Sequence, residues 1–312
     1  MKSRLYFVRF PLAILGIPAN ILCLVILKRL KLKRSSDVLL FCIGVANIVL
    51  LASFYNVPAR IKRELDWKYS QDHTASMAYW SSYYLFRVLR YTSVSCVDFF
   101  PVLITVERLV ALFLPLHVHL IITKTRIWLA CGLIAFLNLI HEIFKYSLTR
   151  NLKLIYSRRA KVYYWHPKRY TNYWVERIED AHGWFHSIVP EATIIVGTLV
   201  VIAKLKFVYA ASQKISNRSE ESVQKATVKA TLRLMAFCAF YIFTICVGNT
   251  MGTVYNMLDL GWYAPLGKIV SAVRGITLSF YCSAYFLVHI WTNDKFRQEL
   301  ATIFGCGGKT VK

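Results

Sequence analysis

The chain has 312 residues, 56% of them hydrophobic and only 18% charged, with a formal charge of +23. Soluble domains hold about 45–50% apolar and about 25% charged residues, so the composition excludes an ordinary soluble domain. The basic balance alone does not point to nucleic acid: there is no basic, aromatic-interleaved soluble module, and basic loops facing anionic lipid account for the charge.

Seven apolar segments follow one another, at roughly 8–28, 37–59, 79–113, 126–147, 184–209, 226–256 and 265–290. Each is long enough for a hydrocarbon core, which takes about 20 helical residues. The first is read as a span and not a cleavable signal, because its apolar run to Leu27 exceeds a typical signal core and ends in Lys28-Arg29. The third is expected to start at residue 79 or later. Pro18, Pro58 and Pro190 lie inside spans, where neighbouring helices tolerate kinks. Between the fourth and fifth spans, the loop from Leu148 to Gly183 interleaves aromatic and basic residues, and 152–165 is expected to form a hairpin.

After the last span, Phe296, Leu300, Ile303 and Phe304 share one face of an amphipathic helix over 293–304. Such a helix lies along a leaflet. Cys306 follows, either as a palmitoylation site or as a plain thiol. Cys23, Cys42, Cys96, Cys131, Cys238, Cys246 and Cys282 fall in the apolar blocks without metal or redox spacing, and are read as buried core residues. No linker, repeat or low-complexity tract divides the chain, so it reads as one domain over 1–312. Lys and Arg are shared almost evenly between alternate loops, so charge counting does not orient the spans.

The run Glu107-Arg108-Leu109-Val110-Ala111-Leu112-Phe113-Leu114-Pro115-Leu116 resembles the (D/E)R(Y/F)xAxxxPL pattern of rhodopsin-like (class A) G-protein-coupled receptors. Gly16-Ile17-Pro18-Ala19-Asn20 is similar to their first-helix pattern, Pro190 to their fifth-helix proline, and Phe296-Arg297 to the start of their eighth helix. A looser resemblance to invertebrate FMRFamide-type neuropeptide receptors rests on His141 to Tyr146, Pro167 to Tyr173, Trp184, and Tyr281 to His289 before Lys295-Phe296-Arg297.

The resemblance implies an all-α membrane protein: a seven-transmembrane helix bundle with a short amphipathic eighth helix. It also implies a plasma-membrane location and an extracellular amino terminus. The partners would be an extracellular peptide or small anionic ligand, a heterotrimeric G protein and membrane lipid. Glu107 and Arg108 would carry G-protein coupling, the acid holding the Arg at rest. The bland alternative is an Arg snorkelling to the interface.

The departures are marked. Asn47 stands where the family has a sodium-binding Asp. No cysteine pair is placed for the extracellular disulfide. Gly248-Asn249-Thr250-Met251 replaces CWxP, and Tyr285 to His289 replaces NPxxY. A weakly signalling pseudo-receptor or an orphan chemosensory receptor are therefore alternatives to a neuropeptide receptor. Ser279 stands at the retinal-lysine position of opsins, which argues against a Schiff base there.

Ionisable residues inside spans are costly and mark function by default. Arg87 and Arg90 share a face of the third helix, and with Glu142 and Arg274 they form the candidate ligand pocket. Internal pairing of these arginines with Glu142 or other acids is the equal alternative. Asn20, Asn47, Asp98 and Asn249 are read as polar groups of the helix core. Asp98 and Glu191, near the midplane, are candidates for structural hydrogen bonding or for a proton relay.

No catalytic motif, cofactor loop or clustered metal-ligand set is present, and the eight histidines are scattered. An enzyme is not expected. The competing class is a transporter coupled through Asp98 and Glu191, although no repeat of the transporter kind is found.

Overall fold

The computed structural model describes residues 2–32, 34–54, 72–157, 162–169, 173–212, 231, 235–257 and 264–305. Cys306 and parts of the expected second and sixth spans lie outside them. The helices are α1 (Lys2–Arg29), α2 (Ser35–Phe54), α3 (His73–Phe113), α4 (Lys124–Thr149), α5 (Tyr173–Ser212), α6 (235–257), α7 (Ala264–Thr292) and α8 (Asp294–Ile303). A single helical turn, Val118–Ile121, joins α3 to α4.

Six of these helices are long and apolar enough to cross a membrane: those containing Pro11–Arg29, Ser35–Phe54, Lys124–Lys145, Ile188–Phe207, Met235–Gly252 and Ile269–Thr292. Large apolar side chains point outward along them, among them Leu15, Leu129, Phe207, Phe243 and Trp291, each more than two-thirds exposed. Water would penalise so much exposed apolar surface, whereas lipid does not. The chain is a mostly helical, multi-pass membrane protein.

The long helix outside those six is α3. It carries Arg87, Arg90, Asp98, Glu107 and Arg108 within one element, which dilutes its hydropathy. It nevertheless packs against α2, α4 and α5 at once, so its polar groups are sheltered by neighbours. Its start differs from expectation: Asp72 caps it, accepting the Ala75 N–H at 2.8 Å, and the helix begins at His73 and not at 79 or later. A side-chain oxygen at that position satisfies an otherwise orphaned backbone donor. Likewise α5 begins at Tyr173, well before 184. At 1.5 Å per residue, α3 and α5 are each about 60 Å long, about twice a hydrocarbon core. Both therefore overhang the membrane on one side.

A hairpin lies on that side. Strands β1 (Arg150–Ser157) and β2 (Val162–Arg169) pair antiparallel in the register Arg150↔Arg169 to Ser157↔Val162, a longer ladder than 152–165. It is the non-helical exception to the all-α expectation. β1 follows α4 directly, and β2 packs against α3. The two faces of the bundle are called here the hairpin end and the α8 end.

At the α8 end, Lys31 and Leu32 turn the chain from α1 to α2 with positive φ of 64° and 45°, a region non-glycine residues rarely adopt. Asn293 caps α8 through the Phe296 N–H at 3.3 Å. The apolar face expected of α8 is turned inward at Phe296, Leu300 and Ile303, whereas Phe304 is exposed. Phe296 packs on His289 and Phe286 of α7, at ring centroids of 5.1 and 5.8 Å. The seven apolar-block cysteines are buried and unbridged.

Candidate functional site

Three groups of polar residues are stacked along the bundle. The first is at the α8 end. The Glu107 carboxylate, 4% exposed, pairs with the Arg108 guanidinium at 3.1 Å. The same oxygen accepts the Ser35 hydroxyl from the start of α2 at 2.5 Å. Charge-assisted bonds of this kind are the strong ones. Adjacent residues on a helix diverge by about 100°, so the Arg side chain must bend back along α3 to reach Glu107. A partner on α2 fixes the carboxylate while it does so.

A polar link joins α1, α2 and α7. Asn20, wholly buried, donates to the Gly16 carbonyl at 2.7 Å and to the Cys282 carbonyl at 2.8 Å. Asn47 donates to the Asn20 side-chain oxygen at 3.5 Å. Gly16 permits this approach: a Cβ there would lie 2.5 Å from the Ser283 hydroxyl oxygen. Tyr285 donates to the Leu40 carbonyl of α2 at 2.8 Å.

The second group is in the middle of the bundle. The Tyr241 hydroxyl of α6 donates to Asp98 of α3 at 3.0 Å, and both residues are buried. Asn249 of α6 stands beside the Glu191 carboxyl of α5. Arg274 of α7 is within electrostatic reach of both Asp98 and Glu191. Four helices thus contribute to one mixed-charge cluster. Buried charges persist only when paired or hydrogen-bonded; Asp98 has the Tyr241 donor, whereas Arg274 is exposed and acts on the two carboxylates from a distance. Ser279, also on α7, donates back to the Gly275 carbonyl at 2.7 Å.

The third group lies toward the hairpin end. Arg90 holds its guanidinium 4.7 Å from the centroid of Phe54 on α2, and Arg87 holds its own 5.7 Å from Tyr91. Both arginines are half-buried. Cations over aromatic faces are stabilised by the ring quadrupole. Arg90 lies about 12 Å along α3 from Asp98 at 1.5 Å per residue. Glu142 of α4 is buried. Above Arg87, Tyr79, Trp80, Tyr83 and Tyr84 pack ring to ring.

Histidines that look scattered in sequence meet here. His141 of α4 stacks on His182 of α5 with centroids 3.4 Å apart and planes 6° apart, and His182 lies 3.9 Å from His186. Phe99 of α3 closes the group edge-on to His186 at 4.9 Å. Burial first, and then the neighbouring His186, His141 and Lys145, pull the His182 imidazole down to about 3. Among the described residues, no three His, Cys, Asp or Glu side chains are arranged to hold a metal ion.

Of the expected pocket residues, Arg274 is exposed on α7 within electrostatic range of the central acids, while Arg87 and Arg90 contact aromatic rings. Asp98 and Asn249 belong to the central cluster, and Asn20 and Asn47 bond each other. Sequence reasoning missed Ser35, Tyr241 and the histidine stack. The spacing of His182 and His186, four residues apart on a helix, was the available signal. Ser35 and Tyr241 carried none, because their partners are distant in sequence. No protein-family model matches the chain, and no curated protein matches it either.

Proposed function

We propose that this chain is a divergent rhodopsin-like G-protein-coupled receptor that crosses the plasma membrane seven times, with its amino terminus and hairpin outside. The observation that carries the reading is the Glu107–Arg108 pair, held by Ser35 at the α8 end. Restrained by the acid, Arg108 is out of play at rest. Freed from it, the guanidinium is available to a heterotrimeric G protein. The seventh crossing is α3, whose charged residues are covered by α2, α4 and α5.

The ligand is a peptide, or a small anionic molecule, that arrives under the hairpin. Its carboxylate meets Arg87 and Arg90. Arg274, exposed on α7, adds a third cationic contact for it. Ligand binding shifts the population toward the state with Arg108 released; it does so only by its differential affinity for that state.

The test is a panel of neuropeptides applied to cells expressing the chain, with nucleotide exchange on G proteins as the readout. A peptide that activates the wild type is expected to lose all effect on Arg108→Ala and to lose potency on Arg90→Ala. Full activation through Arg108→Ala would remove the pair from coupling.

A transporter is the second reading, favoured by the charged cluster at mid-bundle. Under it, solute flux would survive Arg108→Ala and disappear with Asp98→Ala.

A further inference from the structure

Helices α4 and α5 each pack along α3 but, among the described residues, only sparsely on each other. Three histidines bridge them at the hairpin end. His141 lies one turn inside the limit of the α4 span at Lys145, and His182 and His186 lie just before the α5 span begins at Ile188. All three are partly exposed. The bridge therefore stands at the rim of the hydrocarbon, where protons from the hairpin side reach it.

His182 is the middle ring of the stack. It lies 3.4 Å from His141 with the planes nearly parallel, and 3.9 Å from His186, one turn further along its own helix. Four-residue spacing puts His182 and His186 on one face of α5. The His186 Nδ1 is buried and has no hydrogen-bond partner among the described residues, so a proton placed there would lack an acceptor. From α4, His141 and Lys145 act on His182; from α5, His186 does; and His141 acts on His186. From α3 the uncharged Phe99 ring closes the group, edge-on to His186 at 4.9 Å, and Phe185 of α5 stands beside the same imidazole. These neighbours are a cation, neutral rings and further imidazoles. Neutral rings can lie flat on one another, whereas two imidazolium ions at that spacing repel, and Lys145 adds to the repulsion.

We infer that the stack of His141, His182 and His186 is a proton-binding joint: its neutral imidazoles hold the hairpin ends of α4 and α5 together, and protonation parts them. The closed stack sets the direction. Burial first, and then His186, His141 and Lys145, pull His182 down to about 3; burial and then His141 pull His186 down to about 4. An imidazole freed into water takes its proton near 6.5. Between those values the parted state binds more protons than the closed one, so it gains as the pH falls below about 6.5, by up to about tenfold per pH unit for each imidazole that charges. Above that pH the joint stays closed. The joint does not depend on the receptor reading.

The experiment follows amide hydrogen exchange of the full chain in lipid nanodiscs at pH 7.5 and 5.5, with the pH dependence of intrinsic exchange removed. Local opening sets the exchange rate of protected amides. Exchange at the hairpin ends of α4 and α5 is expected to be about tenfold faster at pH 5.5, the factor for one imidazole charging below its value in water. The α8 ends of the same helices should not change. His182→Phe keeps a ring in the stack and takes no proton, so it should cut the rise to less than half, and His182→Phe with His186→Phe should abolish it. The corresponding glutamine variants serve where the phenylalanine variants do not fold. His119→Gln, in the turn between α3 and α4, should leave the rise intact. Equal exchange at the two pH values, or a rise that persists in the double variant, would overturn the joint. No G protein enters the measurement, so a receptor reading that fails leaves this result standing.

Discussion

At the α8 end, polar side chains reach across helices to other helices: Asn20 to the Cys282 carbonyl, Tyr285 to the Leu40 carbonyl, Ser35 to Glu107. Toward the hairpin end, several polar side chains lie against rings: Arg90 against Phe54, His182 against His141 and His186. The first kind of contact is directional and ties specific backbone positions together. The second tolerates sliding, because a ring face attracts a cation or another ring over a range of offsets. The contacts at the α8 end fix one arrangement, and the ring contacts toward the hairpin end allow more play.

Three substitutions test that contrast, in addition to those at Arg108 and Arg90. The largest loss is expected from Asn20→Leu, which removes the amide joining α1, α2 and α7 and leaves Asn47 without its acceptor. The cost is about 2–3 kcal/mol, the range for stranded buried polar groups, read as a fall in the thermal midpoint of detergent-solubilised protein. A fall no larger than that of a surface control would show that the α8 end is not held by this link. Next, Tyr285→Phe deletes one hydroxyl and keeps the ring contacts with Phe237 and His289. It should cost about 1 kcal/mol, one ordinary hydrogen bond. A loss as large as that of Asn20→Leu would mean that Tyr285 carries more than its bond to Leu40.

The smallest effect is expected at the hairpin end, at His182. Its imidazole titrates near 3 in the fold against about 6.5 in an unfolded chain. Between those values the unfolded state binds the extra proton, so the contribution of His182 is complete above about pH 6.5 and declines as the pH falls toward 3. His182→Gln should therefore flatten the loss of thermal stability between pH 7.5 and 5. Because the side chain is only half-buried, solvent screening keeps the effect modest. An unaltered pH slope would mean that the stacked rings do not resist protonation.

How much of this was legible beforehand depended on the range of each interaction. The apolar blocks marked seven expected crossings, and six of them coincide with helices long and apolar enough to span, because lipid imposes its requirement on each segment separately. The amphipathic face of α8 was legible for the same reason, since period and cap act within a few residues. The starts of α3 and α5 were not, because both helices continue past the hydrocarbon boundary, where hydropathy no longer marks them. The hairpin was expected over 152–165 from the family resemblance alone, and its register depends on pairing Arg150 with Arg169.

The sequence by itself determined that the chain must live in a membrane, roughly where its apolar helices cross, and that Glu107 and Arg108 are adjacent on one helix edge. Only the tertiary structure decided what those polar groups meet. Ser35 and Glu107 are 72 positions apart, Asp98 and Tyr241 143 apart, and Asn20 and Cys282 262 apart. No local pattern encodes such pairs. They exist because packing seven long helices together leaves a buried carboxylate or amide only those neighbours that the bundle brings within 3 Å, and in a lipid interior each must find one.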